Sequence, residues 1–282
     1  FFFFLPILVS WFEFMWIRRN DQKLIDIAKF WSKIMALLVI AGVISGTIIA
    51  LQMSLVWPGI LKFGGEVIGL PFLFETYAFL IEAVFLALYI TTWNSKRVGK
   101  WLHWVFGLFV ILGSTMSAYA ITSINGWMNL PSGFDYVDGK LENINVWNAL
   151  FSKTAIVEFI HSMPAYYFAS ILFITSLYAL KMLKSKKKDR TSAKHKYDWF
   201  VIQRLMIVAA CLFVVLGITA DITGKYLAEN EAVKLAAIEL QYETQSKAPL
   251  LIGGVPGENQ TIEGPHIKIP GLLSLLAGNS VN

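Results

Sequence analysis

The stretch that decides the fold is TAIVEFIHSMPAYYFASILFITSLYAL, residues 154–180, a mostly apolar run that contains one histidine, His161. A helix of this length, at about 1.5 Å per residue, spans the roughly 30 Å hydrocarbon core of a bilayer. Ionisable side chains inside a membrane helix are rare and usually functional. His161 is therefore either an axial ligand to a haem iron or a side chain paired with a neighbouring helix, and this helix alone leaves both open.

The whole chain has the composition of an integral membrane protein. Of its 282 residues, 56% are hydrophobic and only 15% are charged, and the mean hydropathy is +0.58. Too few polar side chains remain to cover a soluble globule of this size. The single cysteine, Cys211, excludes a disulfide framework and a cysteine-ligated cluster. The net charge of +5 is unevenly distributed, so we interpret it as a topology signal and expect no nucleic-acid partner.

Six apolar segments near the length of a membrane span predict an all-α bundle of about six transmembrane helices. They cover residues 1–17, 30–57, 69–93, 101–122, 154–180 and 199–219. The first segment is short and begins without Met, as though already inside a span, so we expect the natural N-terminus to lie further upstream.

Lysine and arginine are concentrated in alternate loops. They follow the first, third and fifth segments, with the densest run at residues 181–196. The positive-inside rule makes these loops cytoplasmic and predicts a multi-pass protein of the cell (inner) membrane. We divide the chain into a transmembrane bundle, residues 1–220, and an extracytoplasmic tail, residues 221–282, with one predicted helix at 230–245.

Two carboxylates, Glu75 and Glu82, lie seven residues apart in the third segment and so on nearly the same helix face. Glu82 is expected to lie about 10 Å deeper in the membrane than Glu75. Buried carboxylates stacked in depth indicate a proton relay, a metal ligand or both, and two hydrogen-bonded, protonated side chains are the alternative. Ser117 and Asn125, in and just after the fourth segment, are candidates to continue such a relay.

The sequence allows more than one role for each of the remaining polar residues that could form a functional site. His103 lies too far in depth from His161 to bind the same iron, and we expect it to reach the cytoplasmic interface. Glu158 has three possible roles that the sequence leaves open: a hydrogen-bond acceptor, a group near a haem propionate, or a carboxylate at the membrane interface. In the tail, the spacing of Lys234 and Glu239 suits a cation and a carboxylate that bind one polar head group, although such residues are common on exposed helices.

Several stretches taken together resemble the large subunit, subunit I, of the cytochrome bd-type quinol oxidases. They are FWSK (30–33), GVISG (42–46), GLPFLFE (69–75), GSTMSA (113–118), NGWMNLP (125–131), FIHS (159–162) and KLAAIELQYET (234–244). These stretches occur in order through nearly the whole chain. NGWMNLP and KLAAIE are far more specific than any single histidine.

The resemblance implies a quinol-oxidising, haem-containing subunit with an extracytoplasmic quinol-binding loop. It implies that His161 is the axial ligand of a low-spin haem b, that Trp127 contacts a cofactor, and that Lys234 and Glu239 form the quinol-binding pair. Electrons from quinol at the outer face would pass to this haem. Implied partners are a second bd-type membrane subunit, quinone and the lipid bilayer.

The resemblance also assigns the carboxylates. Glu75 and Glu82 would lie beside two further, high-spin haems, a haem b and a haem d, with Glu75 as a cofactor contact. Ser117 and Asn125 would lie on or beside the route that brings cytoplasmic protons to them.

Three departures from the family pattern bear on oxygen reduction. Phe1 stands five residues before Pro6, where the family has a histidine ligand, and Ala50 stands where it has a glutamate. The family chain also continues past the quinol loop through helices with further haem ligands, so we expect either a separate chain that carries them or a divergent member. Three functions stay open: a quinol oxidase subunit, a bd-like electron-transfer module without an oxygen site, and a non-catalytic structural subunit.

Overall fold

The computed structural model describes residues 3–185, 192–241, 243–257 and 261–278, with the backbone only at 193 and 194. The chain forms two compact units, Phe1–Phe213 and Val214–Asn282. The first unit is a bundle of membrane-length helices, and the second combines the end of a long helix with a small hairpin. Phe1, one of the family departures, lies outside the described residues.

Seven helices begin in the first unit within the described ranges. They are α1 (Phe4–Arg19), α2 (Gln22–Val56), α3 (Pro58–Thr91), α4 (Lys100–Asn129), α5 (Val146–Leu150), α6 (Lys153–Leu183) and α7 (Ala193–Asn230). Five stretches of the described chain, in α2, α3, α4, α6 and α7, are long and apolar enough to cross a membrane. The predicted all-α membrane fold is thereby confirmed. The first predicted span is α1, whose 16 residues fall short of the about 20 that a full crossing needs.

Local capping explains where the helices begin and end. Asn20 adopts a left-handed conformation (φ 53°) that ends α1, and the Asp21 side chain then accepts a hydrogen bond from Lys23 N at 2.9 Å to start α2. Pro58 occupies the first turn of α3, where its missing N–H is not needed. Ser152 Oγ accepts from Ala155 N at 3.1 Å and starts α6.

The short helix α1 is the most enclosed element of the bundle. Leu5, Val9 and Glu13, at four-residue intervals on one face, are each 0% exposed. This helix contacts α2, α4 and α6. This face is buried against other helices and contains the carboxylate of Glu13. An unpaired buried charge is costly, so the neighbouring helices must provide hydrogen-bond partners for it.

Helices α3 and α4 make the closest contact in the bundle. A Cβ added at Gly113 would lie 2.8 Å from Ala78 O and 2.9 Å from Glu82 Cβ. Membrane helices associate through small residues that let backbones approach, because lipid supplies no hydrophobic drive between them. The absence of a side chain at Gly113 therefore lets the backbone of α3 at Glu82 pack directly on α4.

The connection from α4 to α6 contains a small hairpin, which we did not predict. Strands β1 (Asp135–Val137) and β2 (Lys140–Glu142) pair antiparallel. Asp138 (φ 49°) and Gly139 (φ 81°) form the turn, since both need the left-handed region of a tight hairpin.

The second unit is more structured than the sequence indicated. After α7 ends at Asn230 come α8 (Ala232–Ile238), strands β3 (Leu250–Pro256) and β4 (Ile262–Ile269), which pair antiparallel, and α9 (Leu272–Gly278). The predicted helix over 230–245 was too long. Leu240 (φ 53°) is left-handed and Gln241 N donates to Ala236 O, a geometry that closes α8. Tyr242, within that prediction, lies outside the described residues.

Candidate functional site

Both predicted carboxylates of α3 border one cavity in the bundle. The cavity has a volume of about 470 Å³, and its lining includes Glu75, Glu82 and Ser117 together with Gly46 and Ala50 of α2. The seven-residue spacing put Glu75 and Glu82 on one face, as expected. The structure thus brings together three of the residues predicted from sequence.

Glu82 is the most constrained of these side chains. It is 1% exposed, and its Oε1 atom has no hydrogen-bond partner among the described residues. A buried carboxylate oxygen without a partner is costly, so this atom suits a proton, a water chain or a cofactor edge. The cavity beside Glu82 therefore suits a proton-handling role, and contact of this carboxylate with a high-spin haem stays a prediction.

Ala50, one of the three departures from the family pattern, lines the same cavity. The resemblance leads us to expect a glutamate at this position, and the alanine found there adds no carboxylate to the cavity. Phe3, which also lines the cavity, cannot bind iron. Of the described lining residues, only the two glutamates of α3 carry a negative charge.

His161 lies half-buried on α6, one turn after Glu158. Glu158 joins α6 to α4, because Asn125 Nδ2 donates to its Oε2 at 3.0 Å and Asn129 Nδ2 donates to its Oε1 at 3.2 Å. The structure thus places Asn125 with Glu158, one turn from His161. Neither His161 nor Asn125 is part of the described lining of the Glu75 and Glu82 cavity.

The donor set fits an axial haem ligand better than a bare metal site. Within the described ranges, three or more His, Cys, Asp or Glu side chains nowhere gather as a metal cluster. A porphyrin supplies four ligands itself and needs from the chain only an axial donor such as an imidazole. A single half-buried histidine on a braced helix meets that need.

Trp127 is buried by protein. Its ring fills the space beside Gly64 and lies 6.1 Å from the Phe134 ring, and its Nε1 donates to Ser132 O at 3.0 Å. These contacts close the end of the bundle over the connection to α5. Cofactor contact by Trp127 stays a prediction.

Our expectation that His103 reaches the interface was wrong. It is 5% exposed, and its Nδ1 lies 2.6 Å from Oε1 of Glu13, while Tyr89 Oη donates to Glu13 Oε2 at 2.6 Å. A buried carboxylate holds the imidazole inside the bundle. We missed Glu13, although a carboxylate in the apolar segment 1–17 meets the criterion that singled out His161.

The predicted quinol-binding residues lie on and next to α8. Lys234 Nζ is 2.9 Å from Glu231 Oε2, and Glu239 is the first residue after the helix. Burial raises the pKa of the Glu239 carboxyl above its ordinary value. A cavity of about 350 Å³ is lined by Leu235 and Ala236 of this helix and by polar groups of the second unit, Gln241, Glu243 and Ser274 among them. Simultaneous contact of Lys234 and Glu239 with one head group stays a prediction.

These features define a multi-pass helical membrane protein with carboxylates and imidazoles inside its bundle. The chain belongs to the cytochrome bd terminal oxidase subunit I family, whose model matches residues 2–282. It also resembles the solved structure of a bd oxidase from Geobacillus thermodenitrificans, with a TM-score of 0.84 and 33% identity over 98% of this chain and 62% of that one.

Two curated relatives give the same result. A provisionally named cytochrome bd menaquinol oxidase subunit I of Bacillus subtilis is 30% identical over 275 residues, 98% of this chain and 61% of the relative. Cytochrome bd-II ubiquinol oxidase subunit 1 of Escherichia coli is 27% identical over 261 residues, 91% of this chain and 49% of the relative. The chain therefore spans about half to three fifths of the length of these relatives.

Proposed function

We propose that this chain is the haem b-carrying, quinol-oxidising subunit of a cytochrome bd-type oxidoreductase. One observation carries the proposal: His161 is a half-buried imidazole on a membrane helix that Glu158 ties to α4, in a chain of this family. A haem bound there would supply one-electron redox chemistry. The His161 imidazole would hold the iron, and the hydrogen bonds of Glu158 to α4 fix the helix that carries this histidine.

Quinol oxidation is assigned to the second unit. Quinol must lose two protons as it loses two electrons, so its site needs a proton acceptor next to an apolar surface. Glu239 is a candidate acceptor, and Lys234 is a candidate donor to a quinol oxygen. Leu235 and Ala236 of α8 line a nearby cavity of about 350 Å³, whose described lining includes neither Lys234 nor Glu239. The named relatives act on menaquinol and on ubiquinol, so quinol is the substrate class that we propose.

Proton delivery is assigned to the bundle. Glu75, Glu82 and Ser117 share a cavity, and a carboxylate without a second partner can take up and release a proton. We infer a path along α3 toward the high-spin haems, with Asn125 near its outer end. On the positive-inside rule, residues 221–282 face outward, and quinol protons leave on that side.

Partners are proposed from the apolar faces of the bundle. Helices α2 and α7 are the least buried of the long helices, with many exposed side chains such as Leu37, Ile48 and Phe213. These faces suit lipid and a second bd-type membrane subunit, because the bilayer favours apolar side chains.

Reduced-minus-oxidised optical spectra of the purified complex test the proposal. We expect a low-spin haem b signal that added quinol reduces, together with oxygen consumption. A complex without haem would overturn the proposal and support the structural subunit instead.

A second candidate is an electron-transfer module without its own oxygen site. Ala50 favours it, because this residue lines the Glu75 and Glu82 cavity where the family pattern has a glutamate. In that case quinol reduces the haem, but oxygen consumption and high-spin haem signals are absent.

A further inference from the structure

A second buried polar cluster joins three helices near the α3 to α4 connection. We define the Glu13 triad as Glu13 of α1, Tyr89 of α3 and His103 of α4. Glu13 is 0% exposed and both of its oxygens are bonded, one to His103 Nδ1 and one to the Tyr89 hydroxyl, each at 2.6 Å. His103 Nε2 lies 2.9 Å from Tyr89 O.

The geometry fixes the number of protons in this cluster. A carbonyl oxygen only accepts, so Nε2 of His103 carries a hydrogen and donates it to Tyr89 O. One further proton lies between Nδ1 and Oε1 of Glu13, since two lone pairs at 2.6 Å would repel. The pair is neutral whether that proton is on the imidazole or on the carboxyl, and a neutral pair is what the membrane interior tolerates.

The Glu13 triad borders a cavity that leads toward polar residues. The cavity has a volume of about 260 Å³, and Glu13 and His103 line it together with Asn94 and Ser95 of the α3 to α4 connection and with Lys100, the first residue of α4. This volume is several times the roughly 30 Å³ that a water molecule occupies, and the polar lining can hold water. The positive-inside rule places the connection, with Lys96 and Arg97, in the cytoplasm.

One lysine, Lys100, lines this cavity, and a second, Lys29, bonds a residue that lines it. Lys100 Nζ lies 4.4 Å from the centroid of the Trp16 ring, and Lys29 Nζ donates to Asn94 Oδ1 at 2.9 Å. Both amines have partners of their own, so positive charge lies close to the cavity while the pair of Glu13 and His103 is neutral.

One member of the Glu13 triad, Tyr89, lies on the face of α3 that carries the two carboxylates of that helix. Glu75, Glu82 and Tyr89 follow one another at seven-residue intervals on α3, so each is about 10 Å from the next along the helix axis. One turn from Glu13 on α1, the buried Ser10 hydroxyl lies against Gly107 and supplies a further polar group in the middle of the bundle. Tyr89 and Ser10 are thus buried polar groups on the helices between the Glu13 cavity and the level of Glu82.

We propose that the Glu13 triad is a proton-loading site that takes protons from water in this cavity and passes them along α3 to Glu82. In each step one proton enters the pair from the cavity and one leaves toward Glu82, so the pair stays neutral. The assignment rests on the proposed function, since it supplies the protons that the reaction consumes. The proposal assigns a role to Glu13, Tyr89 and His103, none of which is a haem ligand in the proposed function.

The alternative is a purely structural triad that ties α1 to α3 and α4. Glu13→Gln separates the two roles. A glutamine amide donates to Nδ1 of His103 and its oxygen accepts from the Tyr89 hydroxyl, so both hydrogen bonds persist while the transferable proton is lost. Asp26→Asn, at an exposed acid of α2, is the matched control.

The experiment uses the whole complex in proteoliposomes with quinol as reductant. For Glu13→Gln we expect unchanged haem content, unchanged haem reduction in a single turnover, and steady-state turnover and inner-side proton uptake at least tenfold lower. Asp26→Asn should match the wild type. Wild-type turnover in Glu13→Gln would overturn the proton-loading role.

A second measurement does not depend on turnover. Infrared difference spectra between H₂O and D₂O should show an exchanging carboxyl or imidazolium band that is absent in Glu13→Gln, because cavity water reaches the pair. A band that fails to exchange would overturn the proposal. If the wild type and Asp26→Asn both fail to oxidise quinol, the proposed function fails, and the exchange result still decides whether the Glu13 triad communicates with water.

Discussion

Asn125 and Glu158 join helices α4 and α6 through a 3.0 Å hydrogen bond one turn before His161. The bond makes Glu158 part of the support of the predicted haem ligand. Asn125 is not among the described residues that line the cavity of Glu75 and Glu82, so its place on the proton route stays a prediction. Substitutions at Asn125 should therefore affect how α6 is held before they affect proton delivery.

Asn125→Asp should lower the thermal midpoint of the complex more than Asn125→Ala does. The alanine loses a neutral donor, at a cost of about 1 kcal/mol, whereas the aspartate sets a second carboxylate against Glu158. Differential scanning calorimetry measures both. The reverse order would show that Glu158 has other, stronger partners.

His161→Ala should abolish the low-spin haem b signal, because the imidazole is the proposed axial donor. The measurement is the reduced-minus-oxidised spectrum of complex purified from membranes. His266→Ala, a substitution of a half-buried histidine on β4, is the control and should leave the spectrum unchanged. An intact signal in His161→Ala would remove the ligand assignment.

Glu239→Gln should reduce kcat/KM for quinol about tenfold, equivalent to about 1.4 kcal/mol, with haem content unchanged. The amide keeps the size of the side chain but accepts no proton. Glu229→Gln, at an exposed acid of α7, serves as the matched control. Equal quinol kinetics in the two variants would count against the site at α8.

The pH dependence of quinol oxidation should reflect the same carboxylate. Burial raises the pKa of Glu239 above its ordinary value of 4.5, so the protonated form persists to higher pH than for an exposed glutamate. A proton acceptor works only when ionised, so kcat/KM should fall as pH drops through this raised pKa. Glu239→Gln should lose that acidic limb, and a wild-type profile without one would contradict the role.

Gly113→Ala should destabilise the bundle by about 1–3 kcal/mol, because its methyl group would lie within 2.9 Å of Ala78 O and Glu82 on α3. Gly217→Ala on α7, with no atom within 4 Å of the new methyl group, should be neutral or slightly stabilising. Thermal midpoints of the two variants test the contrast. Equal midpoints would mean that α3 and α4 shift apart at little cost.

Much of the architecture was predictable from sequence. The apolar runs predicted the long helices because the bilayer requires about 20 apolar residues per span, whatever the neighbours are. The seven-residue spacing of Glu75 and Glu82 predicted one face because that relation is internal to a helix. The length of α8 was not predictable in this way, since Lys234 and its neighbours form a good helical pattern that the left-handed Leu240 interrupts.

The sequence by itself determined that this chain crosses a membrane several times and belongs with the bd-type subunits, because both follow from local composition and from ordered motifs. Only the tertiary structure decided which polar groups meet. Glu13 and His103 are 90 residues apart, and the pairing of their side chains depends on how α1 packs on α4. Asn125 meets Glu158 for the same reason: side chains on different helices come together through the packing of helices, which no spacing along one segment records.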